Sequence, residues 1–540
     1  MKVLDLNQVE SGAVVETDVC IIGTGPAGLS IANELAGGDT RALVLESGGV
    51  EDEPASQALY EIESTGAPRV LNQDILRTRI LGGSSHVWTG RCAPFDPWDF
   101  EPRSWIPGSG WPIRREELEP FLERAAPYLG LAPGSYDESL WQRFRVDPPR
   151  PPLHSTALRP MFWQFSRRRS GPGSAHFGRD WVDADAPNIE ILLHANLTQI
   201  NVNPIGGKFE SVDVSSLGGR KARIKAKAAV LCCGGIENAR LLLASNRVAP
   251  NGAGNDRDTV GRYLMDHIST TVGYFETGRS FNLRARFGHY WLDDTSGRHV
   301  YLHGVGLSRD AQERDRLVNC HAYLEEIYDP QDAWAALEGL RASVKSGRIS
   351  GSDAGRVLRH MGEISRGLYR RRVHHRPQLG EVKRLELHLM LEQVPDRESR
   401  VTLSTHKRDA LGMPLSTIHW KIGETERITA KRMVDLVREE FEQLGLSLPQ
   451  GVPELNDQSE WIGRCTEKAH PTGSTRMSSN PGEGVVDTHC QVHGVPGLFV
   501  AGSSIFPTTG AANPTLMIVA TAVRLADHLK AQAAKGNLAP

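Results

Sequence analysis

The chain has 540 residues, 39% hydrophobic and 24% charged, with a formal net charge of −3, ordinary for a globular protein too long for one simple core and no reason to expect nucleic acid or an anionic membrane as partner. No window holds about 18 consecutive apolar residues, so no membrane span is expected. The seven cysteines include no C-x-x-C pair and indicate neither zinc nor a disulfide framework, and without a basic, then apolar, N-terminus a cytoplasmic location is expected.

In chain order, Val19, Cys20, Ile21 and Ile22 form an apolar run suited to a parallel strand buried on both faces. Gly23, Gly25 and Gly28 follow in the spacing G-x-G-x-x-G, and 29–35 reads as a helix. Gly23 permits a tight turn, Gly25 lets backbone approach a pyrophosphate, and Gly28 lets helix pack on strand. The phosphates belong at the helix N-terminus, where unpaired N–H groups and the dipole favour negative charge. A second apolar run, 42–45, ends in Glu46, placed to accept from a ribose hydroxyl. A strand before, a helix after and an acid at the end of the next strand together predict a dinucleotide site. The glycine fingerprint by itself leaves NAD and FAD both open.

Residues 50–75 are polar and acidic and read as a connecting segment. At 77–90, RTRILGGSSHVWTG is a glycine-rich loop carrying Gly82, Gly83, Ser84 and Ser85, able to lie flat against a large planar ligand. Residues 91–150 are rich in Trp and Pro and suggest an irregular covering segment, with a helix predicted over 115–129. Strands are expected at 189–193, 198–202 and 212–214. A buried strand at 228–231 ends in Cys232-Cys233-Gly234-Gly235, and 236–243 continues as a helix, a second strand–glycine–helix unit in the same sheet. Between 270 and 450, runs such as 385–391 and 400–403 alternate with turns, the texture of a separate antiparallel sheet. The stretch 341–376 carries ten Lys or Arg against Asp353 and Glu363 and reads as a solvated helical surface, or as a docking face for an anionic partner. Helix returns at 424–444.

Two C-terminal segments read as site rather than scaffold: AHPTGSTRM at 469–477 and the stretch 499–518. In the second, a buried strand at 498–500 leads into Ala501-Gly502-Ser503-Ser504, and the final helix is expected over 515–529, with Asn513 as N-cap and Pro514 at the first helical position. A helix N-terminus aimed at a dinucleotide site can stabilise negative charge there. His470 stands in a Gly/Pro/Ser-rich loop, a setting that suits general acid–base work, whereas His489 and His493 fit a turn and a strand start as structural residues.

Four blocks, VCIIGTGPAGLSIANELA with LVLESGG, RILGGSSHVWTG, VLCCGGIENARLLL and the C-terminal pair of segments, resemble the glucose–methanol–choline (GMC) oxidoreductases and fall in that family's order. EQVPDRESRVTLS, 392–404, resembles the family's substrate-domain strand. The resemblance implies FAD, with Gly23, Gly25, Gly28 and Glu46 on the adenosine and pyrophosphate side, Gly82, Gly83, Ser84, Ser85 and Gly90 near the flavin, and Gly502 with Thr515 at its other end. It implies a catalytic pair, His470 and Asn513, and this His–Asn form is similar to the pyranose oxidase branch and to bacterial sugar and polyol dehydrogenases. Members of that branch can attach flavin through a His just before the loop's Trp. Here Val87 precedes Trp88 and His86 is one place early, so FAD is expected without a covalent bond, and no metal is expected.

The expected fold is α/β: a doubly wound FAD-binding domain assembled from 1–110, 180–270 and 455–540, and a substrate domain on an antiparallel sheet from 111–179 and 271–454, with a basic helical insertion near 341–376. The expected function is oxidation of an alcohol group on a sugar, glycoside or polyol-like small molecule. His470 would take the hydroxyl proton as hydride passes to flavin N5, with oxygen, a quinone or another carrier as electron acceptor. The alternatives are a lyase or isomerase on the same fold with structural FAD, and a flavin-binding partner protein without turnover.

Overall fold

A computed structural model describes residues 1–70, 73–182, 185–204, 207–276, 281–328 and 382–538. Six parallel strands stand in the order Lys2–Asp5, Ile189–Leu193, Ala42–Leu45, Ala13–Ile22, Lys221–Leu231 and Leu498–Val500. Phe209–Ser215 and Asn196–Val202 extend this sheet as an antiparallel hairpin beside the first half of Lys221–Leu231. The central strands are fully apolar at Val19, Ile21, Val44, Val230 and Val500, each 0% exposed, because helices cover the sheet. Pro26–Leu35 and Thr515–Ala534 pack against each other, and Gly234–Ala244 lies against the strands Arg400–Arg408 and Pro414–Trp420.

Register places the site. Ile22 pairs with Leu45 and Leu231, and Leu231 with Val500, so the strands end level and their glycine turns open along one edge. That edge, outside the carboxyl ends of parallel strands, is where open α/β sheets bind ligands.

The second sheet is antiparallel throughout, in the order Thr466–Glu467, Ile268–Phe275, Val382–Leu391, Cys320–Tyr328, Gly297–Leu307, Leu158–Phe165 and Arg91–Cys92, with His289–Asp294 folded as a hairpin on Gly297–Leu307. A third sheet joins Arg400–Arg408, Pro414–Trp420 and, parallel to the latter, Ile62–Gly66. Several pairings cross the boundaries drawn from the sequence. Arg91–Cys92 and Thr466–Glu467 enter the antiparallel sheet, and Ile62–Gly66 joins the 400–420 strands.

Ile62–Gly66 corrects the reading of 50–75 as a plain connection. Its sequence IESTG has little strand character alone, and the exposed edge of Pro414–Trp420 supplies its partners. The 115–129 helix is also broken into three pieces: a 3₁₀ turn Arg115–Leu118, a helix Glu119–Ala125 and a second 3₁₀ turn Ala126–Leu129. Pro120 and Pro127 cause the breaks, since each lacks the N–H an α-helix interior requires. The basic stretch 341–376 lies outside the described residues. Among the described residues no helix is long and apolar enough to cross a membrane.

The seat of the first helix is tight. A Cβ on Gly28 would stand 1.9 Å from the Gly23 carbonyl oxygen and 3.3 Å from Ile21 Cγ2. Gly28→Ala therefore forces helix and strand apart, an overpacking cost of about 1–3 kcal/mol or more. Thermal melting of the apoprotein should fall below the parent, and an unchanged melting temperature would show the helix is not seated this way.

Candidate active site

The level turns enclose a cavity of about 420 Å³, in the range of small-molecule sites. Gly23, Gly25 and Glu46, then Gly83, Ser84 and Ser85, and finally His470, Gly502, Asn513 and Thr515 all line it. Segments from both ends of the chain thus meet in one cleft. Gly28, Gly82 and Gly90 stand behind this lining and allow close backbone contact. A Cβ on Gly82 would meet Gly178 N at 2.4 Å, and one on Gly90 would meet the Ser174 and Ser166 hydroxyls.

The glycine turn and the glycine-rich loop are pressed back to back. Gly25 is the N-cap of Pro26–Leu35, a Cβ on Gly83 would lie 3.0 Å from Gly25 Cα, and Gly82 N–H donates to Thr24 Oγ1 at 3.0 Å. Glu46 organises the turn: it accepts from Thr24 N–H at 3.2 Å, from the Thr24 hydroxyl, from Gly48 N–H at 2.9 Å and from Ser47 Oγ at 3.2 Å. Burial raises its carboxyl pKa, against those hydrogen bonds and the Arg79 charge. Four protein donors fill its roughly four lone-pair positions, so a ribose hydroxyl would reach Glu46 by displacing the half-buried Ser47 hydroxyl.

The cavity also holds a cluster that sequence reading missed. Arg77 and Arg79 both lie over the Tyr60 ring at 4.2 Å. Arg79 pairs with Glu237 at 3.0 Å, and Arg240 bridges Glu237 at 3.1 Å and Asp409 at 2.6 Å. All six residues line the cavity. The three guanidinium groups hold Glu237 down at about 2. The signal available in sequence was RTR directly ahead of the Gly82–Gly83 loop.

These features fit FAD. A Cβ on Gly25 would meet nothing within 4 Å of the protein while projecting at the cavity lining, so the cradle is shaped for something other than a side chain. A helix N-terminus and nearby guanidinium groups suit a pyrophosphate. His86 does not line the cavity; its Nε2–H donates to Leu81 O at 2.9 Å and its ring stands edge-on to His176 at 3.8 Å. Ser85 is equally committed, donating to Gly82 O at 2.7 Å and accepting from Phe177 N–H at 3.0 Å.

His470 sits on an arch at 468–471 that leaves the antiparallel ladder between Glu467, paired with Ile268, and Thr472, bridged to Met265. Ala469 takes a φ of 58°, and the His470 N–H donates to Asp266 Oδ1 at 3.0 Å. The His470 ring meets its protein partner through Nδ1, 3.1 Å from His267 Nδ1, leaving Nε2 open to the cavity. Burial, with the nearby Lys468 charge, pushes its pKa down to about 3. His489 stacks on His528 at 4.5 Å and His493 donates to Ser478 O at 2.9 Å, and neither lines the cavity.

Asn513 requires a correction. The final helix spans Thr515–Ala534 with Pro514 at the cap position and no side-chain cap. Asn513 stands one residue too early to cap it, and its buried Oδ1 has no protein partner. Its amide lines the cavity with His470, Trp163, Tyr323, Glu325 and Met390. Arg91 pairs with Glu325 at 3.1 Å and lies over the Tyr323 ring at 4.7 Å.

Gly25→Ala should separate cradle from scaffold. Its φ of −65° suits alanine, so the apoprotein should melt near the parent temperature while FAD affinity falls severalfold or more, as read by flavin fluorescence titration. Unchanged affinity would remove Gly25 from the phosphate cradle.

Residues 395–522 match the family model described as GMC oxidoreductase. The chain is 25% identical, over 95% of both chains, to the 2-methyl-1,2-propanediol dehydrogenase of Mycolicibacterium austroafricanum. It is 23% identical to the 6'''-hydroxyparomomycin C oxidase of Streptomyces lividus over 96% of this chain and 92% of that one. Its fold is similar to the crystal structure of a formate oxidase, with a TM-score of 0.59 and 20% identity over 98% of this chain and all of the other. Taken together, residues 395–522 match a GMC oxidoreductase domain, and the chain as a whole is similar in sequence to a dehydrogenase and an oxidase and in fold to a formate oxidase.

Proposed function

We propose that this enzyme oxidises an alcohol group on a sugar, glycoside or polyol-like small molecule, with His470 as base and Asn513 positioning the reacting oxygen. The observation that carries this reading is that His470 and Asn513 line the same cavity, with His470 Nε2 and Asn513 Oδ1 both lacking a protein partner. A buried polar atom left unpaired is costly unless something else completes it. A carbinol hydroxyl suits both residues: its proton is accepted at His470 Nε2, and the Asn513 amide hydrogen-bonds the oxygen that loses it. Bound FAD supplies the acceptor for the carbinol's hydrogen and electron pair. Trp163 and Tyr323 add aromatic lining for C–H groups, and the Arg91–Glu325 pair offers donors and acceptors to further hydroxyls. The names of the relatives, a 2-methyl-1,2-propanediol dehydrogenase and a 6'''-hydroxyparomomycin C oxidase, support the same substrate class.

His470→Ala should retain FAD yet slow anaerobic flavin reduction by on the order of 10²–10⁴, the worth of a positioned base. In the parent, a base with its pKa lowered to about 3 is unprotonated across the ordinary range. Reduction by saturating alcohol should stay flat as pH falls from 8 to 5 and be lost only as pH approaches that value. A fall centred on the usual histidine range, or parent-like reduction by the alanine variant, would remove His470 from the reaction.

FAD held without a covalent bond is part of the proposal, supported by the commitment of His86 to Leu81 O and His176 and by Val87 standing before Trp88. Acid precipitation of the holoenzyme should release all the flavin to the supernatant. Flavin retained in the pellet would overturn this part of the proposal.

A further inference from the structure

Two consecutive residues grip His470 from different directions. Asp266 Oδ1 accepts the N–H groups of His470, at 3.0 Å, and of Lys468, at 3.3 Å, which fixes the arch. His267, 0% exposed, lays its ring edge-on to that of His470, with the centroids 5.1 Å apart and the planes at 88°. Its Nδ1 meets His470 Nδ1 at 3.1 Å, and its Nε2 lies 3.1 Å from the carbonyl oxygen of Thr509.

The hydrogens on this chain can be assigned from one end. A carbonyl oxygen only accepts, so His267 Nε2 carries a hydrogen. A neutral imidazole carries one, which leaves His267 Nδ1 as an acceptor. His470 must then donate from Nδ1, and its lone pair falls on Nε2, the nitrogen open to the cavity. The reverse arrangement requires a cationic His267, and its surroundings oppose that. The ring is fully buried, and the facing groups are the imidazoles of His470 and His321, with the Lys468 ammonium close to His470. The Asp266 carboxylate is already engaged by Arg69 and two main-chain N–H groups.

We infer that His267 is a positioning residue that sets the tautomer and ring orientation of His470. Through Thr509 the same ring ties the His470 arch to the loop that leads to Asn513. The inference rests on the reading of His470 as base. When the substrate's hydroxyl proton moves to His470 Nε2, the O–H bond breaks, an Nε2–H bond forms, and the Nδ1–H of His470 keeps its acceptor. His267 touches no reacting atom and ends the step with its own bonds unchanged.

Three variants of the holoenzyme separate this role from mere packing. Asn at 267 places Oδ1 the same number of bonds from Cα as imidazole Nδ1 and restores the acceptor. Gln places an N–H near the position of imidazole Nε2, keeping the Thr509 bond but offering His470 nothing, and Leu offers neither. His267→Asn should reduce flavin within about tenfold of the parent, whereas His267→Gln and His267→Leu should be slower by on the order of 10²-fold, the lower end of a positioned base's worth. Substrate concentration at half-maximal reduction rate should stay constant across the series. A packing role reverses the order and makes Gln the best tolerated. Independent of turnover, the parent labelled with ¹⁵N-histidine should show His470 as the Nδ1–H tautomer in long-range ¹H–¹⁵N correlations, assigned by the signals lost in His470→Ala. An Nε2–H tautomer in the parent, or parent-like reduction by His267→Gln, overturns the inference. Nδ1–H shifts combined with parent-like reduction by His470→Ala would instead sink the base reading and leave the tautomer assignment standing.

Discussion

The site depends on one constraint of register: Leu231 pairs with Ile22 on one side and Val500 on the other. Three strands from the beginning, middle and end of the chain therefore terminate level, and the turns after them share one edge. Side-chain bonds then lock the turns together. Asn238 accepts from Cys233 N–H at 2.8 Å and donates to Ala501 O at 3.1 Å and Ser504 Oγ at 2.9 Å, and Ser503 Oγ donates to Pro471 O at 2.7 Å. A one-residue slip in this register would turn every buried side chain of a strand to the opposite face, so the cleft inherits its geometry from the hydrophobic core.

The arch that carries His470 is held by buried charge. Arg69, with its side chain 1% exposed, pairs with both Asp266 and Glu467, which brace the two strands flanking the His470 arch. Burial raises the pKa values of both carboxyls while the guanidinium lowers them. Such a cluster contributes little net stability, because desolvation offsets the Coulomb attraction, but losing one member leaves a buried charge unpaired. Its effect here is geometric. Asp266 can hold the main chain of His470 only while Arg69 holds Asp266.

The loop ahead of Asn513 is pinned in a related way by imidazoles on main-chain carbonyls. His267 meets Thr509 O at 3.1 Å and His321 Nδ1–H donates to Ala511 O at 2.8 Å, while Thr508 donates to Asp99 O and accepts from Trp111 Nε1–H, each at 2.8 Å. A loop with this many fixed points can keep Asn513 aimed at a cavity without help from its own side chain. The orphaned Oδ1 is thus compatible with a rigid site.

The dinucleotide turn was legible in the sequence because its constraints are local. Gly23 at a φ of 105° and Gly28 under the Gly23 carbonyl are steric necessities written within six residues. The apolar runs at 19–22, 42–45 and 498–500 were legible for the same reason, since a strand buried on both faces admits no polar residue. The pairing of His470 with Asn513 came from a motif resemblance, and the motif could not say that Asn513 leaves the helix uncapped. Tertiary structure alone decided which atoms face the cavity. His267 lies 203 residues from His470, and Arg79 lies 158 residues from Glu237. Neither pair has a periodicity or spacing, because a hydrogen bond between distant segments depends on how whole strands are placed and leaves no local trace in the chain.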